Sequence, residues 1–341
     1  MGRGSFVGGQ WLSRGDNQLD VTSPIDNQVV FSTRFDVDHA AQAIEAAALA
    51  APGWAQLSFD ERMQALRSVQ ASLASREEAI AEAICREVGK PLWEARGEAK
   101  GLAARVDLTC GAIAADVAAI ELPGGIGCAQ FLPLGVVAVL GPFNFPAHLA
   151  NGQILPALLL GNTVILKPSE KAAGVAELYT EALAEAGLPP GVFNLVQGDY
   201  RCGQTLVEDE RVDGVLFTGS TRVGKQILAA THDQPHKLVS LEMGGKNASI
   251  VCADADLDQA TKEILNAAYI TCGQPCTATS QVYCDTSLID ALSDRLKRAV
   301  PRLPVGDPFA PSTFMGPIGP MGPQRLCSAN RPVESRAIVN I

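Results

Sequence analysis

Cys276 lies in the stretch Gly273-Gln274-Pro275-Cys276-Thr277, between a helical run from Leu257 to Ile270 and a strand from about Ser280 to Cys284. A cysteine in a turn is placed for chemistry more than for packing. Its thiolate is a strong nucleophile, but at an ordinary thiol pKa of about 8.5 only a few per cent is deprotonated near neutrality, so a nearby base helps. One carboxylate suits that duty: in Leu241-Glu242-Met243-Gly244-Gly245-Lys246, Glu242 follows an apolar strand and stands beside two glycines. Partial burial there raises a carboxyl pKa toward the working pH and makes a general base. Taken singly, each residue has a plainer reading, a reduced core thiol and a surface charge. Cys272 and Cys276 form Cys-x-x-x-Cys with no His close in sequence, so no metal site is expected.

Two further segments suit a phosphate-bearing ligand. Gly219-Ser220-Thr221-Arg222-Val223-Gly224-Lys225 follows the strand Val215 to Phe217 and opens a helix, nearly a Walker A loop, but Gln226 stands where that motif needs Ser or Thr for magnesium. A P-loop NTPase is therefore disfavoured, while a Gly-rich strand-to-helix turn still suits a dinucleotide pyrophosphate. In Lys167-Pro168-Ser169-Glu170, at the end of the strand Thr163 to Leu166, the lysine can meet ribose hydroxyls or phosphate and the carboxylate can accept from a ribose diol. A carboxylate there repels an added 2′-phosphate, which favours NAD over NADP.

These groups need a frame. The 341 residues are 47% hydrophobic and 19% charged, enough for about two domains and a sizeable core. A net charge of −10 with no basic stripe argues against nucleic acid as a ligand. No apolar run reaches the roughly 18 to 20 residues of a membrane helix, and the first residues hold no signal core or myristoylation motif, so a cytosolic protein is expected. The nine scattered cysteines spell neither a disulfide framework nor a zinc cage.

The first third is expected to be mostly helical. Asp36 to Ala51 ends at Pro52-Gly53, two helices follow with Ser58/Glu61 and Ser75/Glu78 capping boxes, the second stopping at Gly89, and another runs from about Trp93 to Ile120. From Gln130, short apolar runs (136–140, 163–166, 192–196, 215–217, 249–251) alternate with helical stretches (172–186, 222–230). That alternation predicts an α/β fold with a doubly wound parallel sheet, whose ligands bind beyond the carboxyl ends of the strands. The last 41 residues hold 8 of the 21 prolines, and no regular packing is expected there.

In order along the chain, Phe6 to Trp11, Gly141-Pro142-Phe143-Asn144-Phe145-Pro146, Lys167 to Glu170, Phe217 to Ser220, Leu241 to Lys246 and Gly273-Gln274-x-Cys276 resemble the aldehyde dehydrogenase superfamily. The interval of 34 residues from Glu242 to Cys276 agrees with it. The resemblance implies an NAD-dependent dehydrogenase in which Cys276 attacks the aldehyde carbon, Asn144 and the Cys276 backbone N–H form the oxyanion hole, and Glu242 activates water. It further implies that Lys167 and Glu170 hold the adenosine ribose while Gly219, Ser220 and Gly224 surround the pyrophosphate. Within the superfamily, Gly141 to Gly161, with His148 and Asn151, together with Leu241 to Gly245, is most similar to the branch oxidising N-succinylglutamate 5-semialdehyde in arginine breakdown. Another semialdehyde, or an inactive NAD-binding fragment, are the alternatives. Members are homo-oligomers.

The domains implied are an NAD-binding unit of residues 1–110 and 134–243, an oligomerisation arm of 111–133, a partial catalytic domain of 244–315 and an irregular tail of 316–341. Two departures stand out. Pro275 precedes the nucleophile, removing one N–H and restricting Gln274 to extended geometry. After Ile318 the sequence no longer follows the superfamily, and neither its Glu-x-Phe-Gly-Pro type nicotinamide-ribose segment nor its final intersubunit strand is found. Weak stability and impaired activity of residues 1–341 are expected on that account.

Overall fold

The computed structural model describes residues 1–116, 120–121, 123–318 and 338–340. It opens with two hairpins that the Gly-rich composition of the start does not announce. β1 (Ser5–Val7) pairs antiparallel with β2 (Gln10–Leu12), and β3 (Asn17–Thr22) with β4 (Val29–Phe35). Four helices follow: α1 (Asp38–Gln56), α2 (Phe59–Ser75), α3 (Glu77–Val88) and α4 (Leu92–Asp116). α1 does not stop at Pro52-Gly53. Trp54 is buried and its indole N–H donates to the Leu158 carbonyl at 2.9 Å, which carries the helix one turn beyond the proline. Ser58 and Glu61 form the expected reciprocal box. Ser75 does not cap α3: it is the last residue of α2, and its hydroxyl donates to the Ser72 carbonyl.

α3 ends at Gly89, whose φ of +81° is the left-handed region that a side chain disfavours. Space is equally restrictive, since a Cβ here would lie 2.7 Å from both Pro24 and the Pro317 carbonyl. After α4, β5 (Ile120–Glu121) pairs with β6 (Cys128–Ala129) in the 111–133 segment, part of which lies outside the described residues.

The central layer is built in the alternating order expected: β7 (Val136–Leu140), α5 (His148–Leu159), β8 (Thr163–Lys167), α6 (Ala173–Glu185), β9 (Phe193–Leu195), α7 (Tyr200–Glu208), β10 (Gly214–Gly219), α8 (Thr221–Thr231) and β11 (Leu238–Met243). The sheet runs β11-β10-β7-β8-β9-β1-β2, with the first five strands parallel and the N-terminal hairpin added antiparallel at one edge. β7 shows why both faces must be covered. Val137 and Val139 enter a core with α2 to α6, while Val136, Ala138 and Leu140 enter a second core with α1, α7 and α8. The chain winds one way from β7 to β9 and the other way through β10, so the crevice opens between the carboxyl ends of β7 and β10.

Beyond it, β12 (Asn247–Val251), α9 (Leu257–Tyr269), β13 (Thr279–Cys284) and α10 (Ile289–Ala299) build a smaller layer around Val251, Ile264, Val282, Cys284, Leu292 and Leu296. The 249–251 strand thus belongs to a separate sheet, ordered β12-β13-β14, where β14 is Ile338–Asn340. β14 and residues 304–316 correct the expectation of no regular packing after residue 300. The Pro308 carbonyl accepts the Leu92 N–H at 2.8 Å, the Thr313 carbonyl accepts the Trp93 indole N–H at 2.9 Å, and Trp93 stacks on Phe314. Prolines lack N–H groups but keep their carbonyls, which here satisfy donors at the start of α4. Residues 319–337 and 341 of the expected tail lie outside the described residues. Among the described residues no helix is long and apolar enough to cross a membrane.

One buried carboxyl ties α3 to the sheet's helices. Glu87 accepts the Val175 N–H at 3.3 Å at the start of α6, and burial pushes its pKa up to about 8 from 4.5. The folded chain therefore keeps a proton there between about pH 4.5 and 8 that the unfolded chain releases, and stability falls as pH rises through that window. Glu87→Gln, which keeps the acceptor without the charge, is expected to melt higher than wild type above about pH 8 and alike near pH 5. Thermal unfolding at the two pH values checks this, and parallel pH profiles would count against it.

Candidate active site

The loop after β7, Gly141 to Ala147, enters the crevice and carries Asn144, which is buried. Its Nδ2 donates to the Gln274 carbonyl at 2.8 Å, joining segments 130 residues apart. Nδ2 has two hydrogens, so a second remains for another acceptor. Cys276 sits two residues past Gln274, exposed, in a turn closed by the Ala278 N–H on the Pro275 carbonyl at 3.1 Å. Among the described residues no acceptor takes the Cys276 N–H.

The approach to this turn is unusual. Thr271, Cys272 and Gly273 are successively left-handed, with φ of 53°, 56° and 69°, and for a β-branched residue such as Thr271 this is a strained conformation. Gln274 has φ −99° and ψ 0° rather than the extended geometry expected before Pro275. Its three bonds explain the departure: its N–H and its side-chain amide both donate to the Thr271 carbonyl, and its own carbonyl holds Asn144.

From the other side, Asn247 Nδ2 donates to the Cys276 carbonyl at 2.7 Å, and a Cβ on Gly245 would lie 3.3 Å from the same oxygen. The segment linking β11 to β12 thus runs along the Cys276 turn. Glu242, in register with Thr218 of β10, precedes Gly245 by three residues, a span of at most about 10 Å. It is exposed rather than partly buried, because β11 is an edge strand of the sheet.

The expected ligand-holding residues divide. Lys167 ends β8, is 7% exposed, and places Nζ 3.5 Å from Glu170. Gly219 ends β10, and Ser220 caps α8, its hydroxyl accepting the Val223 N–H at 3.3 Å. These four gather at the carboxyl ends of β8 and β10. Gly224 does not join them: it faces β11, where a Cβ would come within 2.6 Å of the Met243 sulfur, so its missing side chain lets α8 approach the sheet. Asn151 also works inside the core, donating to the Leu102 carbonyl and accepting from the Tyr179 hydroxyl. Burial pushes the His148 imidazole pKa down.

Among the described thiols, Cys128, Cys252 and Cys276 are exposed and the others are buried. Burial pushes Cys272 and Cys202 up to about 11 and Cys85 to about 12, whereas Cys276 is open to solvent. A buried ion pair under the Asn144 loop is invisible from the sequence. Lys90 Nζ lies 2.6 Å from Glu98 and 3.9 Å from the centre of the Phe145 ring, and Glu98 also accepts the Ala147 and His148 N–H groups at the start of α5. In the sequence, Lys90 and Glu98 read as ordinary polar positions around a helix start.

The carboxyl-end crevice of this doubly wound α/β sheet thus brings together an exposed thiol, a buried amide donor and a carboxylate-bearing segment. Residues 11–321 match the aldehyde dehydrogenase family, and the chain belongs to it. It is 37% identical over 318 residues to N-succinylglutamate 5-semialdehyde dehydrogenase of Paraburkholderia xenovorans (strain LB400), covering 92% of this chain and 65% of that protein. The chain thus spans just under two thirds of that relative's length. Among solved structures, an aldehyde dehydrogenase from Brucella melitensis biovar abortus 2308 superposes with a TM-score of 0.88 at 31% identity, covering 93% of this chain and 66% of its own. Betaine aldehyde dehydrogenase from Staphylococcus aureus, in complex with NAD+, gives 0.89 at 28% identity over 93% and 66%.

Proposed function

We propose that this protein oxidises a semialdehyde to its acid with NAD, through a covalent bond to Cys276, and that the semialdehyde is N-succinylglutamate 5-semialdehyde, an intermediate of arginine breakdown in the cytoplasm. The observation that carries the reading is the Asn144 to Gln274 hydrogen bond, which brings an amide donor to within two residues of an exposed cysteine. The 37% identity to the Paraburkholderia enzyme supports the choice of aldehyde. In this reading residues 1–110 and 134–243 form the NAD-binding unit, 111–133 the oligomerisation arm and 244–315 part of the catalytic unit.

The residues present fit NAD. The Lys167 ammonium and the Glu170 carboxylate stand together at the end of β8, and α8, capped by Ser220 directly after Gly219, starts at the carboxyl end of β10. When bound, NAD accepts the hydride. Cys276 Sγ forms a bond to the aldehyde carbon, and the negative charge that builds on oxygen is met by the free Asn144 N–H and the Cys276 N–H. Loss of hydride from that carbon leaves a thioester on Cys276. Glu242 takes a proton from the attacking water, the C–S bond breaks, and the acid departs with the thiolate restored.

Glu242→Gln tests this order of events. Mixed with NAD and a panel of semialdehydes, it is expected to release one equivalent of NADH per site in a burst and then stall, with the acyl adduct on the Cys276 peptide by mass spectrometry. Sustained turnover at the wild-type rate would remove Glu242 from the mechanism, and equal rates with NADP would remove the proposed role of Glu170.

A further inference from the structure

The nucleophile turn is strained, and a helix far away in sequence holds it. The Thr271 N–H donates to one carboxylate oxygen of Glu94 at 3.0 Å, and the Thr271 hydroxyl donates to the other. Glu94 lies in the first turn of α4, 177 residues earlier. A left-handed β-branched residue is strained and persists only where its surroundings impose it; a carboxylate gripping both the amide and the hydroxyl of the same residue does so. Four residues further along α4, on the same face, Glu98 grips the Ala147 and His148 amides of the Asn144 loop. Next to Thr271, the Cys272 thiol is fully buried and donates to the Gly89 carbonyl at 3.7 Å, just ahead of that helix.

We propose that Glu94 is a positioning residue for the nucleophile: by clamping Thr271 it fixes the turn carrying Cys276 against the Asn144 loop, with α4 as the common ruler for both. This rests on the proposed covalent mechanism only for its catalytic consequence. The clamp has a second, independent readout in Cys272, which is shielded only while the left-handed turn is closed.

Glu94→Ala and Glu94→Gln are compared with wild type in the full chain. A glutamine can still accept the Thr271 N–H and donate to its hydroxyl, so it keeps both contacts. In Glu94→Ala, kcat is expected to fall by about 100-fold, the size that a small misplacement of reacting groups produces, with KM for NAD unchanged within about twofold. Iodoacetamide labelling with peptide mapping is expected to show Cys272 modified in Glu94→Ala and protected in wild type, with Glu94→Gln restoring most of the protection and rate. Thr271→Val removes only the hydroxyl contact and serves if Glu94→Ala does not fold; it is expected to unmask Cys272 partly. Protection of Cys272 unchanged in every variant, or unmasking accompanied by unchanged kcat, overturns the proposal. Cys276→Ala run alongside separates the two claims: its retained turnover defeats the covalent mechanism, while Cys272 labelling judges the clamp regardless.

Discussion

Cys276→Ala is expected to lose turnover by at least about 10,000-fold while unfolding at the same temperature as wild type. The catalytic loss follows from the lack of a substitute. Cys272, the nearest thiol in sequence, is fully buried, bonded to the Gly89 carbonyl and pushed up to about 11 by burial, so it supplies almost no thiolate at neutral pH. The unchanged stability follows from exposure: the Cys276 side chain fills no core, and both Asn247 and the closing bond of the turn hold backbone atoms that alanine retains. The comparison is NADH formation on the semialdehyde panel together with thermal melts of both proteins. Activity of the alanine variant within tenfold of wild type would end the case for covalent catalysis.

Lys90→Met carries the largest expected loss of stability, about 3 to 5 kcal/mol, because it leaves the Glu98 carboxylate buried without its counter-ion. The Lys90 side chain is fully buried and that of Glu98 is 2% exposed. The two backbone amides from Ala147 and His148 still reach Glu98, but neither carries a full charge. In the double variant Lys90→Met/Glu98→Gln the uncompensated charge is gone, and most of the loss is expected to return, because replacing both partners of a buried pair costs far less than removing one. Denaturant titrations of the single and double variants read this directly. A single-variant loss under about 1 kcal/mol, or a double variant no more stable than the single, would show that the pair is not coupled as its geometry implies.

Much of the sheet was legible because its strands are buried on both faces. A run such as Val136 to Leu140, apolar at every position, has no other common meaning when turn residues bound it and helices follow. What local pattern could not supply was decided by contacts distant in sequence. Pro52 looks like a stop, yet the Trp54 bond to Leu158 carries α1 through it. Ser75-x-x-Glu78 has the letters of a capping box, but the chain is still helical at Ser75. Glu242 follows an apolar strand and stands beside two glycines, which suggests partial burial, yet among the described residues β11 is an outermost strand and the carboxylate is exposed.

For the site the division is similar. Cys276 and Asn144 could be named from motifs, whereas the bond joining their loops, between Asn144 and the Gln274 carbonyl, depends on a backbone atom that no residue type announces. Glu94 and Glu98, spaced i and i+4 on a helix rich in Glu, Arg and Lys, carry the signature of a solvated face. Their actual partners, backbone amides at 147, 148 and 271, leave no mark in the letters of the chain.

Gly89 gathers Pro24, the Cys272 thiol and Pro317 around one residue without a side chain. As the polypeptide leaves the ribosome, this corner and the adjoining helix can fold long before Cys272 and Pro317 have been synthesised. In a chain synthesised from its N-terminus the Cys272 side of this contact can only be made late, because that residue emerges 183 positions after Gly89.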